Sequence, residues 1–199
     1  MKQGLLISGM MLLAATSVLA GPPLICHPVE IGSAKSLPWI EKGDNWNSAD
    51  PRYDTARLTE DTLALLTPST PLNVRMETMR RAAIYSAKKD GAADQITAQL
   101  LARTATAEAT AKQDSMAWFD AGYFVETVRQ VTFVYRYNML TPAERTQWKL
   151  RGEKLGLDGK PWIERAIKLG GKGMEVALAK IDDYRDADIK RAKTVVATK

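Results

Sequence analysis

The side chains able to do chemistry are few, and two of them stand side by side. Cys26 and His27 are adjacent, and each is the sole residue of its type in the 199-residue chain. Thiolate and imidazole both bind transition metals, and a thiolate of lowered pKa is also a nucleophile. Cys26 and His27 are therefore the candidate ligands for a transition metal or a haem, the only cofactors these residues suggest. Two ligands do not close a structural zinc site, so carboxylates, Met or a second chain would have to complete it. No Cys-x-x-Cys-His run occurs, so nothing indicates covalent c-type haem attachment. The competing expectation is structural. Cys26 would be a small buried hydrophobe, with His27 hydrogen-bonded to the body and fixing its segment. A lone cysteine cannot form an intramolecular disulfide, which leaves a redox role or a bond to another chain as further alternatives.

Carboxylates form the second candidate set. Asp120 and Glu126 fall in the most apolar stretch of the chain, where an ionised group needs a partner. Arg129 and Gln130 lie within one turn of Glu126, and Arg75, Glu77, Arg80 and Arg81 crowd an earlier helix. A buried ion-pair network between the two helices is one expectation. An acid–base pair in a helical cleft, as in a hydrolase, is the other. Other catalytic patterns are missing. Gly170-Gly171-Lys172-Gly173 lacks the spacing and flanking strand of a phosphate loop. A single histidine forbids a His-Glu-x-x-His zinc motif, and no Gly-x-Ser-x-Gly occurs. The tryptophans at 39, 46, 118, 148 and 162 read as core and arm anchors.

The elements that must position these groups are helical. Asp54 caps a first helix running to about Leu66, with Leu58, Leu63 and Leu66 in its buried stripe. Thr70 and Pro71 open a second, with Leu72, Met76, Met79 and Ala83 at helical spacing up to Gly91. A third is expected over about 92–111, anchored by Ile96, Leu100 and Leu101. The fourth, about 115–138, carries apolar residues on most sides, the mark of a central helix. Thr141-Pro142-Ala143-Glu144 is a capping box with Pro in the first turn, opening a fifth helix to about Leu155. A sixth begins at Pro161, the glycines at 170–173 break the chain, and a last runs from Met174 to about Ala192. The fold class is thus all-α, six or seven helices in antiparallel hairpins, solenoid-like or irregular. Residues 55–199 form this domain. Residues 21–54 hold Pro22, Pro23, Pro28, Pro38 and Pro51, which disfavour helix. They are nevertheless too apolar for a free tail. An extended arm with a short helical turn near Ser36–Glu41, laid on the helical body, is the expectation.

Residues 1–20 read as a secretory signal peptide. Lys2 precedes an uncharged apolar run from Gly4 to Ala15, and Val18-Leu19-Ala20 forms a cleavage site before Gly21. The run is shorter than the ~20 residues of a spanning helix. Cleavage takes Lys2 away, so the formal net charge falls from +5 to +4 over the remaining 179 residues. The charges are well mixed, not the one-sided basic face of a nucleic-acid binder. No later stretch approaches spanning length, so the mature chain carries no membrane span. It is expected in the periplasm or secreted.

The segments 21–28, 34–39, 63–68 and 75–82, with Phe119-Asp120-Ala121-Gly122-Tyr123, resemble a family of exported bacterial proteins of unknown function. The resemblance implies an exported helical protein and assigns no catalytic residue. The leading expectation is a non-enzymatic protein-interaction module whose partner is another protein. The metal- or haem-binding protein using Cys26 and His27 is the alternative, and the hydrolase using Glu126 or Asp120 the third. A module predicts a satisfied arm and an exposed apolar groove. A hydrolase predicts carboxylates in a deep pocket without matching arginines.

Overall fold

The structure is a computed structural model that describes residues 22–40, 46–110, 112–137, 139–150 and 156–197. The expected signal peptide, residues 1–20, lies outside the described residues. Among these residues the chain is helical and holds no strand; an isolated antiparallel bridge joins Trp39 to Ala49. The helices are α1 (Leu58–Leu65), α2 (Leu72–Ser86), α3 (Ala92–Ala109), α4 (Ser115–Arg136), α5 (Pro142–Gln147), α6 (Lys160–Lys168) and α7 (Glu175–Ala197).

Local chemistry accounts for most of the boundaries. The Asp54 carboxylate accepts the Ala56 N–H and starts a single 3₁₀ turn, Thr55–Arg57, that leads into α1. The Asp114 carboxylate accepts the Ala117 N–H and starts α4. The Thr141–Glu144 capping box is complete at α5. Gly91 (φ 69°), Gly170 (φ 86°) and Gly173 (φ 78°) take the left-handed backbone that terminates or re-aims a helix.

Four expectations are corrected. The described part of 36–41 is not a helical turn; Trp39 pairs with Ala49 instead. Thr70 does not cap α2, whose first turn has no side-chain cap. Its hydroxyl donates to the Leu65 carbonyl at 2.8 Å, closing the end of α1. Helix α2 stops at Ser86 rather than near Gly91, and α5 stops at Gln147 rather than near Leu155. These two departures share one cause. Trp148 leaves the helix with an extended backbone and is fully buried. The N–H groups of Lys149 and Leu150 then bond to the Ala87 carbonyl at 2.7 and 3.1 Å. Burying one large aromatic ring outweighs one more helical turn.

Helix α4 is the hub. It packs extensively on α2, α3 and α6 and only lightly on α7, and the sequential pair α2 and α3 touch equally little. The array is therefore irregular, radiating from α4 instead of passing along a row of hairpins. The tightest approach is between α4 and the start of α6, at Gly122 and Gly159. A Cβ on Gly122 would lie 2.6 Å from the Gly159 carbonyl oxygen and 2.7 Å from Ile163 Cγ1. No helix among the described residues is long and apolar enough to cross a membrane.

Candidate functional site

The described arm segments are fastened to α2 by one buried charged cluster. Glu77 is 1% exposed and Arg80 is 0% exposed. Arg80 grips Glu77 with two hydrogen bonds, of 2.7 and 2.8 Å, and Arg81 adds a third at 2.7 Å. The Val29 N–H supplies a fourth, at 3.0 Å. Other arginine donors take arm carbonyls: Arg80 bonds Ile25 and Trp46, and Arg81 bonds Leu37. Trp39 stacks against both guanidinium groups. Tyr85 donates to the Pro38 carbonyl and accepts the Asp50 N–H. Further along, Gln130 of α4 accepts the Leu24 N–H at 2.7 Å. Burial pushes the Glu77 carboxyl up, but the bonds and charges of Arg80 and Arg81 prevail and hold it below its ordinary range. Backbone groups that would otherwise be stranded under the arm thus find charged partners.

This cluster decides where Cys26 and His27 lie. Cys26 is half-buried and packs against the core, while His27 is exposed. The cysteine thiol is pushed up to about 12 by burial, with the Arg80 charge pulling the other way. Burial therefore works against the thiolate that metal binding or nucleophilic attack requires. Among the described residues, no three His, Cys, Asp or Glu side chains gather as a metal-binding group. The expected result follows directly. At pH 8, iodoacetamide should modify folded Cys26 about 100-fold or more slowly than the same thiol in urea, followed by mass spectrometry. Equal rates would show that the arm does not shield it.

The two candidate carboxylates both have arginines, but not from one source. Asp120 pairs with Arg75 of α2. Glu126 instead takes Arg185 of α7 at 2.8 and 3.2 Å, with the Gly159 N–H at 2.9 Å and Arg129 at 3.5 Å. An arrangement of this kind holds helices together, and every Glu126 oxygen is occupied. Asp120 differs. Its Oδ1 is buried without a hydrogen-bond partner, an omission that ordinarily costs about 1–3 kcal/mol. Burial pushes its carboxyl up to about 6, against the opposing charge of Arg75 and the more distant Arg103.

Asp120 also borders the largest concavity described, an open groove of about 990 Å³ between α1, α3 and the start of α4. Its walls are largely apolar, with Leu63, Leu66, Pro68, Ala102 and Met116 among them. The groove arginines are already engaged. Arg103 bonds the Leu63 and Leu66 carbonyls at 2.9 and 3.0 Å. Arg75 bonds the Thr67 and Thr70 carbonyls besides Asp120. Both thereby satisfy carbonyls at and beyond the C-terminal end of α1.

No family model, no curated protein and no solved structure matches the chain.

Sequence reasoning placed Asp120, Arg75, Glu126, Arg129, Glu77, Arg80 and Arg81 in one network, and the structure pairs them within it, but it missed Arg103, Arg185 and the bond from Leu24 to Gln130. Arg103 looks like any exposed-face arginine on an Ala- and Thr-rich helix. Arg185 lies 59 residues from Glu126, and Leu24 lies 106 from Gln130. No local spacing signals either pairing.

Proposed function

We propose that this chain is an exported helical protein that acts without catalysis, as an interaction module holding a partner protein in the groove between α1, α3 and α4. The observation that carries the reading is the open, apolar-walled groove beside an arm whose polar groups are largely engaged. Large apolar concavities are costly to leave in water and commonly mark binding surfaces. The pairing of Asp120 and Glu126 with arginines fits helix fastening better than the unpaired acid and base a hydrolase needs. The leader-like residues 1–20 support export, placing the work in the periplasm or outside the cell.

A photo-crosslinking amino acid at Ala102, in the groove wall, tests this in the exporting cell. A discrete protein adduct is expected, and the same probe at Asp186 on α7, which does not line the groove, should give none. No adduct at Ala102, or equal adducts at both positions, would overturn the reading.

A further inference from the structure

Among the described residues, three carboxylates are buried, those of Glu77, Asp120 and Glu126, and they are not equally compensated. Glu77 accepts four hydrogen bonds and Glu126 three. Asp120 accepts one, from Arg75, and its Oδ1 accepts none. The side chains of this pair are 3% and 2% exposed. A carboxylate stays ionised in a core through the donors that replace its water. Asp120 is therefore the first of the three to take a proton as pH falls. Burial pushes it up to about 6, while Glu77 is held below its ordinary range.

That proton acts on Arg75. From α2, Arg75 reaches Asp120 of α4, the Thr67 carbonyl, and the Thr70 carbonyl at 3.1 Å. The two carbonyls belong to the turn after α1, and Leu63, Leu66, Thr67 and Pro68 form one wall of the groove. A guanidinium keeps its own proton throughout, so a neutral Asp120 leaves Arg75 a buried cation without a counter-charge. Neighbouring charges do not replace it. Arg103 of α3 and the exposed Lys112 are cations, and Asp114 is exposed to solvent. Helix α1 brings no charged side chain to this lining. Removing one partner of a buried pair is strongly unfavourable. Linkage sets the direction of the response. Arg75 pulls the Asp120 carboxyl down, so parting the two lifts it further while Asp120 stays in α4, the hub. The parted arrangement binds the proton more tightly, and acid favours it.

We infer that Arg75 and Asp120 form an acid-operated latch: when Asp120 takes up a proton, Arg75 lets go of the turn at 67–70, and the α1 wall of the groove loosens while the rest of the fold stays intact. The latch goes beyond the interaction-module reading and does not require it. The effect is local for a definite reason. The Asp120 carboxyl is raised above its ordinary 3.8, so its ionised form opposes folding. Its contribution to global stability therefore grows as pH falls through the folded value toward the unfolded one, the opposite of acid denaturation.

Amide hydrogen exchange in the ¹⁵N-labelled exported chain, corrected for the intrinsic pH dependence of exchange, tests this between about pH 5 and 7.5. The Leu66 and Thr70 N–H groups bond to the Leu63 and Thr67 carbonyls. Their protection should fall ~10-fold or more as pH drops, a modest share of the cost of an unpaired buried charge, with a midpoint near 6 shared by the Asp120 carboxyl carbon shift. The Leu24 and Val29 amides, held by Gln130 and Glu77, should keep their protection. Asp120→Asn, neutral at every pH, should hold the Leu66 and Thr70 amides at the low level throughout. If that variant fails to fold, the titration of the unaltered chain still decides. Protection at Leu66 and Thr70 that is flat over this range, a fall shared equally by Leu24 and Val29, or an Asp120→Asn chain that retains the transition would overturn the latch. Absence of a crosslink at Ala102 bears on the module reading alone.

Discussion

Glu77→Gln should destabilise the exported chain by about 3–5 kcal/mol, the usual cost of removing one partner from a buried ion pair. The substitution preserves shape but sets an NH₂ donor against two of the N–H groups that Glu77 accepts, and it leaves the Arg80 charge buried and uncompensated, with Arg81 beside it. Arg80 also holds the Ile25 and Trp46 carbonyls, so disturbance of its guanidinium reaches the arm. Urea denaturation gives the stability change, and limited proteolysis within 22–40 reports arm release. The pH dependence has a definite sign. Glu77 has its carboxyl held below the ordinary 4.5. Its contribution is complete above the unfolded value and is lost as pH falls through the lower folded value. The gap between the two proteins should therefore be full at pH 7 and shrink in acid below 4.5. A gap under about 1 kcal/mol at pH 7, typical of an exposed pair, would show that the cluster is not the fastening described.

Gly122→Ala is the second large effect, and it arises from space instead of charge. The added methyl group would lie 2.6 Å from a backbone oxygen at Gly159, and a backbone atom cannot swing aside as a side-chain end can. Helix α6 must move as a unit, which strains the 2.9 Å bond from the Gly159 N–H to Glu126 and the ion pair of Glu126 with Arg185. Overpacking of this kind costs about 1–3 kcal/mol. Alanine also favours a helix interior over glycine by up to about 1 kcal/mol, so a net loss shows that the clash prevails. A lowered melting temperature by circular dichroism is the expected result. Unchanged or increased stability would mean that α4 and α6 do not approach as closely as described.

The existence of α1 through α7, and the central position of α4, were legible because their causes are local. Apolar residues recur at helical spacing in Leu72, Met76, Met79 and Ala83, and Asp54 and the Thr141–Glu144 box supply caps. Interactions within one turn depend only on residues within one turn. The end of α5 was not legible, because Trp148 leaves that helix to fill the core and bring its neighbours to the Ala87 carbonyl.

The candidate sites divide along the same line. The sequence by itself determined that Asp120 and Glu126 lie on the most apolar helix, where an ionised group must be compensated, and it offered Arg75, Glu77, Arg80 and Arg81 of the second helix as members of a buried network. Only the tertiary structure decided which partners they found. Glu126 went to α7, Glu77 fastened the arm, and Asp120 was left with one free oxygen beside a groove. Those outcomes depend on how whole helices pack around α4, where shape and volume choose the neighbours and the distance between residues along the chain carries no information.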